Sequence, residues 1–432
     1  MPKFNIPEYR VGTDCLRVGV FIRLEGLKWY EHPFLFKSFK ISNEDQIRTL
    51  HSIGVKEVTC VPGESDVLPY DEPPDLFART DEKKAKTAAD NLWQIKNEAS
   101  EQLKKRKEKI AEREKQYITS EEHVSTLIKG ISSGSTVTVK DAVTFAEDFS
   151  QYFLKDRTST LQLMQIAAKD EGLYYHAMNV TVLSMMLGKQ MGVFSEDMKI
   201  LCLGALFHDI GKSKIDIKVL YKEEKSMSKP EREFLRLHPK YGVELLSIAD
   251  DVPKAVLVAV YQHHERLDGS GYPKGSSGNQ IHRLSRIIAI ADVYDNLCNK
   301  RTPADSLTPA EALGHMFINQ KTALDQQMMA TFIRCLGIYP PGTVVMLNND
   351  SVGMVISVDP ENPLKPSIVI YDADIPKSDA VIVDLKNEPH LKIVKSIRPA
   401  SLLREIFDYL SPRERVSYYV GDEASSEDGK DG

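Results

Sequence analysis

The chain has 432 residues and a formal net charge of -6; 42% of its residues are hydrophobic and 27% are charged. These values exclude a disordered chain and argue against a DNA or RNA binder that works by bulk positive charge. They predict two or three domains, and the absence of an apolar run of about 20 residues predicts no membrane span. Five cysteines without CxxC spacing, and an N-terminus without a signal-peptide pattern, favour a cytoplasmic protein.

Residues 1–82 are predicted to form a small α/β domain. The segment "CLRVGVFIRLE" alternates apolar and polar residues, and "DQIRTLHSIGVKEVTCVP" has the pattern of a helix, a glycine turn and a strand. The domain contains four closely spaced aromatic residues: Trp29, Phe34, Phe36 and Phe39. We interpret them as core side chains, with a ligand platform as the alternative.

Residues 83–118 are strongly helix-forming and almost lack an apolar stripe, which predicts a charged, solvated helical linker. The alternative is a short coiled coil that would make a homodimer. Residues 119–338 contain successive helical windows and are predicted to be an all-helical domain. Three capping boxes support this prediction: Thr119 with Glu122, Ser228 with Glu231, and Thr308 with Glu311.

Residues 339–410 change to a period of two around an Asn-Asn-Asp turn, which predicts a small β subdomain. Residues 411–432 end in "GDEASSEDGKDG" and are predicted to be an acidic disordered tail. The fold class is therefore expected to be mainly α, with a small α/β domain before the helices and β structure after them.

Seven polar residues in the helical region recur about one helix and one loop apart: His176, His208, Asp209, His238, His263, His264 and Asp292. This rhythm would let successive helices of a bundle each deliver one side chain, or one adjacent pair, to a common point. Taken singly, each histidine is explained by a hydrogen bond, and Asp209 by pairing with Lys212 or Lys214. Asp292 lies in the apolar "RIIAIADVYDNL", where an unpaired carboxylate is costly, and a salt bridge to Arg283 or Arg286 is the alternative for it alone.

Metal binding explains the whole set better than seven separate polar contacts do. Seven donors exceed what one four- or six-coordinate ion holds, but they suit two ions that share a bridging carboxylate, for which we choose Asp209. Such a pair serves in-line displacement at phosphorus. Imidazole and carboxylate donors without thiolate are compatible with iron, manganese or zinc.

Two further features lie beside these donors. Lys212 follows His208 by one turn and is a candidate phosphate contact, although an exposed lysine at a helix end is the common alternative. The segment "DGSGYPKGSSG", residues 268–278, leaves His263 and His264 directly, so it is expected at the mouth of the site. Its glycines would let backbone approach a ligand, with a plain flexible loop as the alternative.

Together the seven donors, "HDIGK", "DGSGYP" and "ADVYD" resemble the HD-GYP domain, a branch of the HD phosphohydrolases, over residues 119–338. The N-terminal unit also resembles a domain of unknown role that is often found ahead of HD-GYP domains. The resemblance implies an HD-type helical bundle and a bacterial phosphodiesterase that linearises cyclic di-GMP to pGpG, and in some members to GMP. It further implies two divalent ions, with iron and manganese preferred, and cyclic di-GMP and GGDEF proteins as partners.

Site roles follow from the same resemblance. All seven donors become metal ligands, and His208, Asp209 and Lys212 become catalytic. The implied substrate contacts are Lys212, Gly269, Gly271, Tyr272, Pro273 and Arg301.

Two positions depart from the family pattern. Gly172 stands where members with a third metal carry glutamate, so a two-metal centre is expected. In "KRTPADS", Arg301 matches the first basic position but Ala304 replaces the second. Two alternatives stay open: an HD hydrolase of another nucleotide, such as a cyclic GMP-AMP dinucleotide or a mononucleotide, and a non-catalytic cyclic di-GMP sensor or adaptor.

Overall fold

A computed structural model describes most of the chain. The described residues are 6–34, 36–73, 82–155, 160–163, 173–248, 252–300, 302, 305–359, 361–373, 375–377, 380–388, 390–410 and 418–421.

The helices are α1 Glu44–Ser52, α2 Glu82–Ser132, α3 Thr136–Lys155, α4 Leu173–Gln190, α5 Ser195–Leu206, α6 Ile217–Leu220, α7 Lys229–Leu235, α8 His238–Leu246, α9 Lys254–Gln262, α10 Arg283–Cys298, α11 Pro309–Asn319, α12 Gln326–Leu336 and α13 Arg404–Leu410. The strands are β1 Tyr9–Gly12, β2 Phe21–Arg23, β3 Ser38–Lys40, β4 Glu57–Cys60, β5 Thr160–Leu163, β6 Val344–Leu347, β7 Val352–Val358, β8 Ser367–Ile370, β9 Ile382–Asp384, β10 Ile393–Ile397 and β11 Tyr418–Gly421. The predicted mainly α class, with α/β structure before the helices and β structure after them, is confirmed.

The N-terminal unit is an antiparallel sheet in the order β1-β4-β2-β3, with α1 packed against it. Asn43 caps α1 by accepting a hydrogen bond from the backbone N–H of Gln46 at 3.0 Å, and Gly54 turns the chain with a positive φ of 78° toward β4. The helix, glycine and strand predicted for this segment are present.

Helix α2 is one element of 51 residues. It passes through Thr119, so the helix start predicted there is wrong. Nor is its N-terminal part a solvated linker: Ala88, Ala89 and Lys96 are buried, and α2 packs extensively on α1. Near its other end Val124 and Leu127 enter the helical core. Packing partners at both ends, which no local pattern reveals, replace the missing apolar stripe.

Helices α3 to α5 and α8 to α12 share one hydrophobic core with the end of α2. The capping boxes predicted for Ser228 with Glu231 and Thr308 with Glu311 are confirmed at the starts of α7 and α11. Helix α10 is buried on nearly all sides, with Ile287, Ile288 and Ile290 fully enclosed. It therefore carries its polar residues into the centre of the bundle.

The C-terminal sheet has the strand order β10-β6-β7-β5-β11; β8 also pairs with β7, and β9 pairs with β8. The predicted Asn-Asn-Asp turn joins β6 to β7, and Asp350 adopts a left-handed φ of 61° there. Strand β5 belongs by sequence to the region predicted as all-helical, and β11 lies within the segment predicted as a disordered tail; those two predictions are wrong at these residues. The predicted domain boundaries remain predictions.

No helix within the described part of the chain is long and apolar enough to cross a membrane.

Candidate metal centre

Five helical elements bring the seven predicted donors to one place. Asp292 lies in the interior of α10 and His176 in the first turn of α4, and the other donors also lie where helices begin or end. His208 and Asp209 follow α5, His238 opens α8, and His263 and His264 follow α9. Each donor is buried or nearly so.

The first group of donors gathers around His176. Its Nε2 lies 3.1 Å from Nε2 of His208, 3.5 Å from Asp209 Oδ2 and 3.2 Å from Asp292 Oδ1. Nε2 of His208 lies 3.4 Å from Asp209 Oδ2. Two imidazoles and two carboxylates thus point at one small space.

The second group uses the other oxygen of the same aspartate. Oδ1 of Asp209 lies 3.2 Å from His238 Nε2 and 3.8 Å from His263 Nε2, and these two nitrogens are 3.3 Å apart. His264 joins this group, and its Nδ1 is 3.6 Å from Asp292 Oδ2. Asp209 therefore offers one oxygen to each group, which is the geometry of a bridging carboxylate.

Hydrogen bonds fix which ring nitrogen of four histidines faces the centre. The Nδ1–H groups of His208, His238 and His263 donate to backbone carbonyls three residues earlier, at 2.7, 2.8 and 2.6 Å. The Nδ1–H of His176 donates to Asp295 at 2.7 Å. When these rings are neutral, the converging Nε2 atoms therefore carry the lone pairs that can bind metal.

The convergence tests whether these residues fit divalent cations. Lone pairs facing each other at 3.1 and 3.3 Å repel unless a proton or a metal ion lies between them, and the buried Oδ1 of Asp209 accepts no hydrogen bond from the described residues. Oxygen and imidazole donors in this number suit transition-metal ions. The described residues therefore fit a pair of divalent ions.

The electrostatics of the cluster favour positive charge. Burial disfavours a charged imidazole, but hydrogen bonds to three carboxylates outweigh that cost and raise the pKa of His176 well above its usual value. Burial likewise opposes the charge on Asp209, yet Lys212 and His208 hold the pKa of this carboxyl well below its usual range. Burial lowers the pKa of His263 to about 4, which keeps that ring neutral.

Lys212 is held beside Asp209. Its Nζ forms a short ion pair with Asp209 Oδ2, and its side chain is 21% exposed, so part of the side chain reaches solvent. Gly211 precedes it in the 3-10 helix Ile210–Lys214; a Cβ there would overlap the carbonyl oxygen of His238. This glycine lets the segment after α5 pack directly on α8.

Asp295 was not singled out by the sequence analysis. It lies one turn beyond Asp292 on α10, is 1% exposed, and accepts hydrogen bonds from His176 Nδ1, Asn179 Nδ2 and Asn299 Nδ2. Its role is to orient the imidazole of His176. The i, i+3 spacing of the two aspartates in "ADVYD" was the available signal.

The glycine-rich loop packs against His264 of the donor set. Its expected position at the mouth of the site stays a prediction. Glu265, which the sequence analysis also missed, is 2% exposed and accepts the backbone N–H groups of Lys274 and Ser276, both at 2.8 Å. Tyr272 donates its backbone N–H to the carbonyl of His264 at 3.2 Å. A buried carboxylate thus braces the loop, which is not a plain flexible segment.

Two glycines of this loop have structural roles. A Cβ on Gly271 would overlap Arg266 N and lie 2.5 Å from the His264 carbonyl oxygen, so this glycine permits close packing of the loop on its own backbone. Gly269 adopts a positive φ of 77°. The predicted approach of their backbone to a ligand stays a prediction.

An aromatic and a cationic side chain, Tyr272 and Arg236, lie next to the donor His264. The Tyr272 ring lies 4.6 Å from the His264 ring, centroid to centroid, and Cζ of Arg236 lies 5.2 Å from the centre of the Tyr272 ring. Arg236 is exposed and was not singled out by sequence. Gly172, Arg301 and Ala304 lie outside the described residues.

Three family models match the chain. Residues 161–328 match the HD domain, residues 9–142 match a domain of unknown function, DUF3391, and residues 344–405 match a KOW domain associated with the HD domain. The chain contains an HD domain over residues 161–328. The resemblance to the HD-GYP branch, and to the domain found ahead of it, is confirmed.

Curated relatives share different lengths of the chain. Cyclic di-GMP phosphodiesterase PA4108 from Pseudomonas aeruginosa is 26% identical over 363 residues, 84% of this chain and 84% of the relative. The cyclic di-GMP phosphodiesterase response regulator RpfG from Xanthomonas campestris pv. campestris is 34% identical over 151 residues, 34% of this chain and 39% of the relative. The 3'3'-cGAMP-specific phosphodiesterase 3 from Vibrio cholerae is 31% identical over 165 residues, 38% of this chain and 35% of the relative.

Proposed function

We propose that this HD-domain protein is a metal-dependent phosphodiesterase that hydrolyses cyclic di-GMP to pGpG in bacterial second-messenger signalling. One observation carries the proposal: Asp209 offers one carboxylate oxygen to each of two donor groups, and Tyr272 lies beside them against His264. The relative that shares most of its length with this chain is named as a cyclic di-GMP phosphodiesterase, which supports the choice of substrate.

The proposed ligands divide between two ions. His176, His208, Asp209 and Asp292 would hold one, and Asp209, His238, His263 and His264 the other. When bound, two such ions supply hydroxide at neutral pH and neutralise charge on the phosphoryl group. A donor set of imidazole and carboxylate without thiolate is compatible with iron, manganese or zinc, and the resemblance to the HD-GYP domain favours iron or manganese.

The reaction requires only water as a co-reactant. A water oxygen attacks one phosphorus of the cyclic dinucleotide, the bond from that phosphorus to the ribose 3' oxygen breaks, and the 3' oxygen leaves with a proton. The product is linear pGpG, and the same step on the remaining phosphodiester would give GMP.

The chain's own residues bind and orient the reacting phosphate. Lys212, whose side chain is 21% exposed beside Asp209, would contact a non-bridging phosphate oxygen as a point charge. Arg236, over the Tyr272 ring, is placed for the second phosphate or for a base. We infer that Arg236 supplies a positive charge in place of the basic residue that Ala304 replaces in the family pattern. The other proposed substrate contacts are Gly269, Gly271, Tyr272, Pro273 and Arg301.

A second substrate is favoured by one finding. A Vibrio cholerae relative similar to this HD domain is named as specific for 3'3'-cGAMP, which differs from cyclic di-GMP in one base. Selectivity between the two must lie in the base-binding walls, because the phosphates are alike.

The test is product analysis. Anaerobically purified protein, loaded with iron(II) or manganese(II), is incubated with cyclic di-GMP or 3'3'-cGAMP, and the products are separated by chromatography. We expect pGpG from cyclic di-GMP, and no product after chelation or with Asp209→Ala. A protein that holds metal and binds cyclic di-GMP without cleaving it would be a receptor and not an enzyme.

Other expectations rest on the same proposal. The five cysteines are unpaired, as in a reducing compartment, which supports a cytoplasmic location. A GGDEF protein as partner, and a homodimer through the charged part of α2, stay predictions.

A further inference from the structure

Asn296 lies on α10 one turn beyond Asp292, and the sequence analysis assigned it no role. Its side-chain Nδ2 donates a hydrogen bond to Asp292 Oδ1 at 2.6 Å and another to the backbone carbonyl oxygen of Asp292 at 2.9 Å. Asn296 is exposed, whereas Asp292 is 2% exposed. An amide that solvent reaches is therefore in direct contact with a buried donor of the proposed metal centre.

These two hydrogen bonds fix which way the amide of Asn296 faces. An amide NH2 group has two hydrogens and no acceptor, and both of its partners on Asp292 are acceptors. If the amide were turned over, its own oxygen would lie against two other oxygens and would be repelled. The side-chain oxygen of Asn296 therefore points away from these two atoms. Among the residues that the structure describes, none donates a hydrogen bond to it, so this oxygen is an acceptor that a ligand can use.

The contact with Asp292 places this acceptor beside the first donor group. The same Asp292 Oδ1 lies 3.2 Å from His176 Nε2 and 3.7 Å from His208 Nε2. The other carboxylate oxygen, Oδ2, lies 3.6 Å from His264 Nδ1. Asn296 thus lies at an exposed edge of the first donor group, where a phosphate bound to that group would bring its ribose within reach.

The chemistry of cyclic di-GMP identifies the group that would meet an acceptor at this edge. Each phosphate joins the 3' oxygen of one ribose to the 5' oxygen of the other, and neither linkage carries a hydrogen-bond donor. The donor closest to the phosphorus is the 2'-hydroxyl, on the carbon next to the one that bears the 3' oxygen. The N–H groups of guanine lie beyond the ribose ring. A free amide oxygen beside the phosphate-binding group therefore suits a ribose hydroxyl.

We propose that the side-chain oxygen of Asn296 accepts a hydrogen bond from the 2'-hydroxyl beside the reacting phosphate, so that the protein selects ribose over deoxyribose. The inference rests on the proposed hydrolysis of cyclic di-GMP and adds a sugar requirement to it. A site that hydrogen-bonds a substrate hydroxyl discriminates against the analogue that lacks it, because the acceptor then loses its partner. Asn296 also supports Asp292, so removing its amide affects two contacts that must be measured separately.

A cycle of two proteins and two substrates separates them. Wild type and Asn296→Ala, both loaded with manganese(II), are each incubated with cyclic di-GMP and with its bis-2'-deoxy analogue, and chromatography of the products gives kcat/KM. Wild type should prefer the ribose substrate at least about fivefold, the ratio that a hydrogen bond of about 1 kcal/mol produces. Asn296→Ala should lose most of that preference, whatever loss of kcat/KM it shows toward both substrates. Alanine at an exposed helical position should fold.

The matched control is Asn299→Ala. The Nδ2 of Asn299 donates to Asp295 Oδ1 at 2.8 Å, so this variant loosens a carboxylate of the same helix and leaves Asn296 in place. We expect it to lower kcat/KM equally for both substrates and to keep the ribose preference. Metal content is measured for each protein. Calorimetry with phosphorothioate forms of the two nucleotides, which resist hydrolysis, gives a readout that needs no turnover.

Two results would overturn the inference while the proposed function stands. Wild type could cleave the ribose and deoxyribose substrates equally well, or Asn296→Ala could keep the wild-type preference, which would assign the oxygen to the attacking water. The opposite failure is also distinguishable: wild type that binds the ribose nucleotide more tightly but releases no pGpG is not the proposed enzyme. In that case loss of the binding preference in Asn296→Ala would still support the contact, and an unchanged binding preference would overturn it.

Discussion

Asp295 holds His176 in its metal-binding orientation, and its removal tests that role. We expect Asp295→Ala to lower metal affinity or activity by about 10–100-fold, the usual effect of losing a carboxylate that orients a metal-binding histidine. Asp295→Asn should lose less, since its amide oxygen can still accept the Nδ1–H. Metal content after dialysis and activity at saturating metal measure the effect. Asp148→Ala, at an exposed position on α3, is the control, and equal metal retention by Asp295→Ala would contradict the role.

Arg236 tests the proposed substrate side of the site. Arg236→Ala should raise KM for cyclic di-GMP about tenfold or more, because a charge-assisted contact contributes about 1.5–3 kcal/mol. Metal content should not change, since Arg236 contacts Tyr272 and none of the donors in the described structure. Steady-state kinetics and metal analysis check both points. Lys240→Ala, exposed near the same site, is the control, and an unchanged KM in Arg236→Ala would exclude the contact.

At this scale the sequence predicted the donors but not their supports. The seven donors could be found because their spacing matches helix lengths, which is a regular signal. The supporting residues act through specific contacts: Glu265, Asp295 and Arg236. The sequence shows that they are acidic or basic, but it does not show which way their side chains point. Which residues bind metal ions stays a prediction until metal content is measured.

The glycine-rich loop has no room for one added carbon atom at Gly271. Gly271→Ala would place a methyl group against Arg266 N and the His264 carbonyl oxygen, so the loop must shift. We expect a loss of about 1–3 kcal/mol in the free energy of unfolding, as for overpacking elsewhere, together with reduced activity. Gly314→Ala is the matched control: this α11 glycine has open space around it, so the change should stabilise by about 0.5–1 kcal/mol. Denaturant unfolding of both variants measures the contrast, and equal effects would refute the packing role.

Elements with local signals were predicted, and those that depend on distant partners were not. Capping boxes predicted the starts of α7 and α11, and the Asn-Asn-Asp turn predicted the β6 to β7 hairpin. The pairing of β5 with β7 and β11 joins residues far apart in sequence, so no window of the chain reveals it. A cap motif also failed at Thr119, where helix continues because tertiary packing favours it.

For the whole molecule, the proposed ions would connect elements that are far apart in sequence. The donors come from α4, α10 and the ends of α5, α8 and α9, so bound metal favours the folded bundle over the unfolded chain. At free metal near 1,000 times Kd, each site should add about 4 kcal/mol to the free energy of unfolding. Calorimetry with manganese(II) and after chelation measures the shift in Tm. Asp209→Ala, which removes the bridge, should lose most of this metal dependence, and a wild-type Tm unaffected by metal would contradict the site.

Helix α2 is one continuous helix that connects the N-terminal unit to the helical core. Lys96 of α2 contacts His32 of the N-terminal unit, and Val124 lies in the helical core about 28 residues, or roughly 42 Å, further along the helix. A helix transmits rotation as well as distance, so inserting one residue in its charged middle would turn the N-terminal unit by about 100° relative to the bundle, whereas inserting seven would nearly restore the angle. The rotation accumulated along α2, more than its length, therefore sets which face the N-terminal unit presents to the rest of the protein.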